Sequence, residues 1–382
     1  MKKLISTLIA ISTIATSSFA FEWGGIFYDK TGFGGPSIES AKIDQKNLVD
    51  LWARVPLSKS GTSYLAAEAN YSFEFNDSEP VNKVTNIVDL ILLKYGFNKA
   101  IGKKSIIDIS VGRFSNSDIT GTIFNQISDG ARLAFGTESI NLTAFAGYTG
   151  LINSLATTII TPEHTNYIEQ GIPVYVLAPA YLPASLSFTV PSLFANQNLK
   201  LQVLGCFDFN NDNFNRYYAT AGLSGKIVKG LFYNLNATVS SINFQDISLL
   251  SNLYVRYSPV SSLSIVAEGL YASGNNGPLS PFKAISFQKA SLSQAEPEYS
   301  GLIKANLGII ATLKDKFLAN ANVACLFNCM DSDVKYDGFQ WKVDCAYNIF
   351  NDLRIGAELY QYIALDPLNN AINLSLNATI AF

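Results

Sequence analysis

Ile372-Asn373-Leu374-Ser375-Leu376-Asn377-Ala378-Thr379-Ile380-Ala381-Phe382 is the last stretch of the chain, and it alternates between apolar and polar residues. Every second residue from Ile372 to Phe382 is apolar, whereas most of the residues between them are Asn, Ser or Thr. An extended strand places successive side chains on opposite faces. The stretch therefore predicts a β-strand with one apolar face and one polar face.

The same alternation recurs along the chain, for example over 231–240 and over 353–359. These strands run for about ten residues, whereas strands of soluble proteins usually have about five or six. About ten tilted residues are enough to cross a bilayer. Because lipid offers no hydrogen-bond partners, strands that cross it must form a closed barrel. The fold class predicted is all-β, a transmembrane antiparallel β-barrel.

The strand count predicted from the pattern is 18. The strands are expected at 22–28, 47–56, 62–74, 87–96, 105–114, 130–137, 139–148, 184–191, 199–209, 215–224, 229–240, 249–258, 262–273, 300–313, 316–328, 338–348, 353–363 and 371–382. If Phe382 lies at the periplasmic rim, the longest connections all fall on the opposite side, as is typical of outer-membrane barrels. The weakest strands are 22–28, 130–137 and 184–191, and the loss of one hairpin would give 16.

The composition agrees with such a barrel and excludes several other classes. Hydrophobic residues make up 48% of the 382 residues and charged residues only 15%. Disorder requires low hydrophobicity and high net charge. After residue 20 no run approaches the roughly 18 to 20 apolar residues of a spanning helix. A net charge of -3 without a basic tract disfavours nucleic-acid binding.

The first 20 residues are predicted to be a cleaved secretory signal peptide. Lys2 and Lys3 precede an apolar stretch, and Ser18-Phe19-Ala20 supplies small residues at the cleavage site. Residues 21–382 are then the barrel, with a net charge of -5 once two lysines are removed from -3. The localisation expected is the bacterial outer membrane.

At this point the chain resembles a bacterial outer-membrane β-barrel protein of the porin kind. A final alternating strand closed by Phe382 looks like the signal that the barrel-assembly machinery recognises. A second likeness lies in Val111-Gly112-Arg113-Phe114 followed by Asp129-Gly130-Ala131-Arg132-Leu133. Gly-Arg at a strand end before an Asp-Gly strand start is similar to substrate-specific porins, including the alginate-export type, which implies 18 strands.

Strand parity predicts which charged residues face the lumen. These are eight acids and eight bases: Asp50, Arg54, Glu68, Asp89, Asp108, Arg132, Lys200, Asp208, Arg216, Arg256, Glu268, Lys304, Lys342, Asp344, Arg354 and Glu358. Arg113 and Asp129 join the expected pore lining through the porin-like motif. Rings of one sign select the opposite ion, so this balance favours weak charge selectivity or neutral solutes. Alternatively, the same side chains only solvate the wall and pair with each other.

An 18-stranded barrel encloses more space than its own side chains fill. Loop 149–183 is long and apolar and is the first candidate to fold inward; the alternative is an outer lid packed on itself. Segment 115–129 is the second candidate. Loop 274–299 is rich in Gly, Ser, Pro and Gln and is expected to be a surface loop.

Catalytic and metal-binding patterns are weak. His164 is the single histidine and falls in a predicted outer loop, so neither a Ser-His triad nor a histidine metal site is expected. We expect no enzyme activity and no cofactor. Four cysteines occur, and the exported compartment permits disulfides. Free thiols are the default; a cross-strand bridge between Cys325 and Cys345 is geometrically allowed, and Cys329 could compete for either partner.

The function predicted is a porin-like channel for passive diffusion of small hydrophilic solutes, with substrate selectivity favoured by the motif likeness. The alternatives are a surface-exposed adhesin-type barrel and a transporter of hydrophobic compounds, which would need a lateral opening and an N-terminal plug. The partners expected are outer-membrane lipid, the barrel-assembly machinery through Phe382, and small hydrophilic solutes, with a homo-oligomer left open.

Overall fold

The computed structural model describes residues 21–77, 83–162, 175–210, 212–275, 277–286, 299–314, 316–331 and 333–382. The predicted signal peptide and His164 lie outside these residues. The strands are β1 (Glu22–Gly35), β2 (Lys42–Pro56), β3 (Ser63–Asn76), β4 (Lys83–Ile101), β5 (Ser105–Ser117), β6 (Asn125–Thr137), β7 (Asn141–Tyr148), β8 (Tyr181–Phe194), β9 (Gln197–Asp208), β10 (Arg216–Val228), β11 (Leu231–Ile242), β12 (Ser248–Val260), β13 (Leu263–Ala272), β14 (Leu302–Leu313), β15 (Phe317–Asn328), β16 (Lys335–Asn348), β17 (Leu353–Ala364) and β18 (Ala371–Ala381).

These strands form one closed antiparallel barrel. Each strand pairs with the next along the chain, and β1 closes the barrel by pairing with β18 as well as with β2. Phe382 completes the closure, since its backbone exchanges hydrogen bonds with Gly25 at 2.8 and 3.0 Å. The predicted count of 18 is confirmed, and 16 is excluded. No helix in the described part of the chain is long and apolar enough to cross a membrane.

The connections alternate between short and long, as the sequence predicts. Short turns such as 229–230 and 261–262 lie at one end of the barrel, which we call the turn end. Longer connections, including 118–124, 149–180 and 273–301, lie at the other end, which we call the loop end.

The two faces of each strand differ as the alternation predicts. On β18 the outward Leu376 is 59% exposed, whereas the inward Ser375 is 1% exposed. The same parity places exposed leucines, isoleucines and valines on the outside of the other strands. An apolar outer band with a more polar interior is the arrangement that lets a barrel sit in lipid.

β1 extends seven residues beyond its predicted end at 28. The extra segment contains three glycines, which are poor strand formers. It remains a strand because β2 and β18 hydrogen-bond to it from both sides, as in the pairs Gly32↔Asp44 and Gly32↔Ser375. Pairing therefore overrides local preference.

Described residues of three connections from the loop end fold into the barrel. Ile123 and Phe124 of connection 118–124, Ile159 and Ile160 of connection 149–180, and Phe282 are all buried in one apolar cluster. Connection 118–124 is part of the second predicted candidate, and residues 149–162 are part of the first. The prediction that 274–299 is a surface loop is wrong for residues 282–286, which are mostly buried because contacts distant in sequence decide their position, whereas Gly277 and Pro278 are exposed as predicted.

The connections are joined to each other by backbone hydrogen bonds. The Ile285 and Ser286 amides donate to the Ile123 carbonyl at 2.9 and 3.0 Å, and the Ile160 amide donates to the Ile285 carbonyl at 2.9 Å. We call this assembly of 118–124, 149–162 and 277–286 the inner plug. It has an apolar core of its own, which wall side chains extend.

All four cysteines are free. Cys325 lies opposite Phe339, whereas Cys345 lies opposite Ala319. Phe339 precedes Cys345 by six residues on β16, so the two cysteines are about 20 Å apart at roughly 3.3 Å per residue. A disulfide requires Cα atoms within about 7 Å. The Cys325–Cys345 bridge that parity allowed is therefore excluded by the register.

Candidate functional site: the barrel lumen

A continuous band of polar side chains lines the lumen from β12 to β17. Glu268 lies at one end of it, where the Lys304 Nζ is 3.2 Å from a carboxylate oxygen and Asn252 Nδ2 donates at 3.2 Å. Lys342 and Glu358 form a second ion pair farther along. We call this band the polar belt, and its members are Asn252, Glu268, Lys304, Asn306, Asn320, Asn322, Lys342, Asp344 and Glu358.

The strands place these side chains by register. Glu268 lies opposite Asn306, Asn320 lies opposite Asp344, and Asp344 lies opposite Glu358. Each of these neighbours has the same parity, so their side chains all point into the lumen. Asn320 Nδ2 donates to Asp344 at 3.2 Å. Lys304 pairs with Glu268 and Lys342 pairs with Glu358, so that two of the belt's three acids are compensated locally.

Most of the predicted lumen residues lie on the inward face of their strands. Besides Glu268, Lys304 and Glu358 of the belt, these are Asp108, Arg132, Lys200, Arg256 and Arg354. Asp108 lies near the turn end, where Asn98 Nδ2 donates to it at 3.3 Å. Arg256 and Arg354 are exposed at the same end of the wall.

Arg113 and Asp129 of the porin-like motif lie on the outward parity of β5 and β6. They pair with each other, with Nε and Nη2 of Arg113 donating to the two carboxylate oxygens at 3.0 and 2.8 Å. Their neighbours Ser110 and Ser128 point inward and are buried. The motif therefore brings the two residues together, but on the face away from the lumen, unlike the other nine residues expected to line the pore.

Arg216 points inward but is fully buried. Its Nη1 donates to the Ala284 carbonyl at 2.9 Å, and its guanidinium lies 4.4 Å from the ring centroid of Phe214. Tyr218 on the same strand donates through its hydroxyl to the Lys283 carbonyl at 2.6 Å. Arg216 therefore holds residues 277–286 of the inner plug against the wall. Sequence parity cannot tell this role from pore lining.

A cavity of about 630 Å³ opens at the loop end and is lined by residues of β1, β2, β3, β17 and β18. Lys46 and Glu74 pair across it, and Asp44 and Lys42 lie on the same rim. The sequence reasoning missed Lys42, Asp44 and Lys46, because β2 was expected to begin at 47 and its first five residues were assigned to a loop; Glu74 lay within the predicted strand 62–74 but was not assigned to the lumen. The charge alternation over 42–46 was the available signal.

The plug side of the lumen is apolar by contrast. Phe124 packs against Phe145 with ring centroids 6.1 Å apart, and Phe282 packs edge-to-face on Tyr218 at 6.1 Å. Burial at the plug raises the pKa of Tyr299 to about 12, so this phenol stays neutral at physiological pH. The lumen therefore has one apolar side and one polar side. The described residues include no group of three or more His, Cys, Asp or Glu placed to hold a metal ion.

Comparison with known proteins shows likeness at the level of fold. No protein-family model matches the chain, and no curated protein matches it in sequence. Among solved structures, Pseudomonas aeruginosa OccK5 (OpdH) matches with a TM-score of 0.63 at 11% identity, covering 94% of this chain and 98% of that one. Acinetobacter baumannii OccAB4 matches with a TM-score of 0.63 at 8% identity, over 96% and 99%.

The outer membrane protein OprD of Pseudomonas aeruginosa matches with a TM-score of 0.59 at 11% identity, covering 95% of this chain and 93% of that one. At these identities the likeness concerns the fold alone. It extends over nearly the whole of each chain. The chain therefore has the barrel fold seen in the Occ and OprD outer-membrane proteins.

Proposed function

We propose that the chain is an outer-membrane channel through which small hydrophilic solutes diffuse passively. The observation that carries the proposal is the polar belt. It faces the lumen of a closed barrel whose outer face is apolar, so that hydrogen-bonding groups line a route through lipid. A passive route of this kind needs no cofactor and no catalytic residue.

The charge pattern supports neutral or zwitterionic solutes. A ring of one sign would select ions of the opposite sign, whereas Lys304, Glu268, Lys342 and Glu358 are paired with each other. In these pairs each carboxylate can still accept a hydrogen bond from a passing solute, and each ammonium group can still donate one to it. The belt, together with Asp108, Arg132, Lys200, Arg256 and Arg354, is the proposed pore lining.

Planar-bilayer recording of the refolded protein tests the proposal directly. We expect unitary conductance steps with weak ion selectivity, and liposome swelling that is faster for neutral sugars and amino acids than for dianions of the same size. The absence of unitary steps from protein that shows the heat-modifiable gel mobility of a folded barrel would contradict it. Binding of a host ligand by the same protein would then favour the adhesin-type alternative.

The localisation proposed is the bacterial outer membrane, reached through cleavage of residues 1–20. The turn end is then periplasmic and the loop end faces outward. N-terminal sequencing of protein from the outer-membrane fraction should give Phe21 as the first residue. Recovery of the intact N-terminus there would contradict the cleavage.

Phe382 is the proposed recognition point for the barrel-assembly machinery. Its ring lies over Gly25, where a built Cβ would meet the ring at 2.5 Å. Phe382→Ala should reduce the amount of folded barrel in cells far more than the yield of refolding into detergent. The matched control is Ile380→Ala on the same face of β18. Equal losses in the two settings would place the effect in barrel stability instead.

A second copy of the chain is the proposed partner of the outer face of β1 and β2. The Asp29 carboxylate points outward there and accepts from Gln45 Nε2 at 2.6 Å and from Asn47. Thr31 donates to Gln45 Oε1 at 2.6 Å. Lipid cannot solvate such groups, and charged groups on a lipid face are costly. Cross-linking in membranes should trap a homo-oligomer through this face, and a monomer alone would contradict the assignment.

A further inference from the structure

The seam between β4 and β5 loses its backbone ladder halfway along the wall. The two strands pair from Ile101↔Ser105 up to Leu93↔Arg113. Toward the loop end, β4 continues from Leu92 to Lys83 and pairs only with β3. The last four residues of β5 pair only with β6. The loop-end half of this seam is therefore not closed by strand pairing.

Local backbone geometry explains why the strands separate. Gly112 adopts φ +121°, and a Cβ built on it would lie 2.1 Å from the Leu93 carbonyl oxygen. On β4, the pairing with β3 shifts by one residue between Leu92 and Leu90. Such bulges bend a strand and redirect its edge. Phe114, the next inward residue of β5, turns into the buried cluster of the inner plug.

Three backbone groups on the free edge of β4 bond to side chains rather than to the backbone of β5. The Val88 amide donates to the Tyr175 hydroxyl at 3.0 Å, and the Leu90 carbonyl accepts from Arg113 at 3.2 Å. The Leu90 amide donates to the carboxylate of Asp89 at 2.8 Å. Each of these contacts can break by rotation of one side chain, whereas a strand ladder opens only as a unit.

Tyr175 reaches the seam from connection 149–180. It is a non-glycine residue with φ 71°, a conformation that costs free energy and persists only where its surroundings impose it. Arg113 also binds this connection, since its Nη2 donates to the Leu151 carbonyl at 2.8 Å. Arg113 and Tyr175 thus fasten the same connection to the two sides of the seam.

Apolar residues flank the seam on both sides of the wall, next to the inward Asp89 and the outward Arg113–Asp129 pair. Outside, Val84, Val88 and Leu90 point away from the lumen and are exposed. On the inner side, Leu92 packs against the apolar cluster that contains Phe114. An apolar track therefore runs from the plug through the seam to the outer face.

We propose that the loop-end half of the β4–β5 seam is a lateral opening through which a solute bearing an alkyl chain passes between the lumen and the surrounding lipid. The apolar residues bind the chain, and the Arg113 and Tyr175 contacts close the seam when it is empty. This inference does not depend on the conductance of hydrophilic solutes through the polar belt.

The test places a bimane fluorophore at an inward position beside the seam. Ile87→Cys is such a position, since Ile87 lies opposite the buried, inward Ser72. Asn373→Cys is the matched control, because Asn373 points inward on β18 and is paired on both sides. Both are made with the four native cysteines replaced by alanine, and the barrels are reconstituted into lipid vesicles. The quencher is a nitroxide on an alkyl chain, supplied either as doxyl-stearate or as doxyl-phosphatidylcholine.

We expect doxyl-stearate to quench the label at position 87 at least threefold more strongly than the label at 373. Tyr175→Phe should increase this quenching further, whereas Tyr257→Phe on an intact part of the wall should not. Equal quenching at 87 and 373 would overturn the proposal. Quenching at 87 by the phospholipid alone would also overturn it, because the seam would then hold a fixed lipid.

A second measurement covers the case in which the cysteine-free chain does not fold. A photoactivatable benzoylphenylalanine at position 87 of the otherwise native chain should cross-link to stearate and give the corresponding mass increase. The same group at position 373 should not. Absence of the adduct at 87, in a barrel with normal heat-modifiable mobility, would contradict the lateral opening.

Discussion

The replacement Phe282→Ala should release the inner plug without opening the barrel wall. Phe282 is fully buried and packs on Tyr218, while its carbonyl accepts from the Ser300 hydroxyl at 2.7 Å. Truncation of a fully buried Phe to Ala costs about 3 to 5 kcal/mol. The ladder that closes the wall does not include residue 282, so we expect most of this cost to fall on the docking of residues 277–286.

A loss of about 3 kcal/mol lowers the ratio of docked to released plug by about 150-fold, since 1.4 kcal/mol corresponds to a factor of ten. In planar bilayers the variant should therefore visit a larger conductance level that the native channel rarely reaches. The control is Leu368→Ala, because Leu368 is 85% exposed at the loop end and is not part of the buried apolar cluster that holds the plug.

The reasoning would be refuted by a Phe282→Ala barrel that keeps native heat-modifiable mobility and shows an unchanged distribution of conductance levels. That result would mean that the hydrogen bonds from Ile285 and Arg216 hold the plug without the Phe282 side chain.

Three further predictions concern residues in or next to the barrel strands. Glu358→Gln leaves Lys342 without its carboxylate partner, so the reversal potential in a KCl gradient should shift toward anion selectivity; an unchanged potential would mean that the pair lies outside the ion path. Gly112→Ala should lower the midpoint of urea unfolding, because the positive φ and the close Leu93 carbonyl together cost about 3 kcal/mol or more of unfolding free energy. Gly269→Ala is the control and should be nearly neutral, since a Cβ there meets nothing within 4 Å. Thiol titration of the unfolded chain should count four free cysteines, with equal gel mobility before and after reduction, and a mobility change would reveal a bridge that the described register does not permit.

The barrel fold and the inward or outward direction of most strand side chains could be predicted from the sequence, because both depend on the local period of two. β17 was expected at 353–363 and runs from Leu353 to Ala364. Glu358 was expected to face inward and does so beside Lys342. Parity did not account for the first five residues of β2, 42–46, whose charged side chains look like those of a loop until β1 and β3 are paired with them.

The roles of the candidate site residues were harder to predict from strand parity. Arg216 and Arg256 share the inward parity and the same chemistry in the sequence. The structure separates them, because Ala284 and Ile285 reach Arg216 from a distant connection, whereas Arg256 stays exposed. For Arg113 the motif likeness was misleading. It assigned Arg113 to the lumen, whereas the parity of β5 points this side chain outward.

The sequence by itself determined the period-two alternation, the strand order and the closed barrel. Each strand pairs with its neighbour in the chain, and the alternation of apolar and polar residues sets which side chains face outward. Only the tertiary structure decided which connections fold inward and where the wall parts. The Ile123–Ile285 contact joins residues far apart in the chain. The β4–β5 seam arises from one glycine conformation and one register shift. Such contacts are selected by the packing of the whole barrel, and no local pattern of residues encodes them.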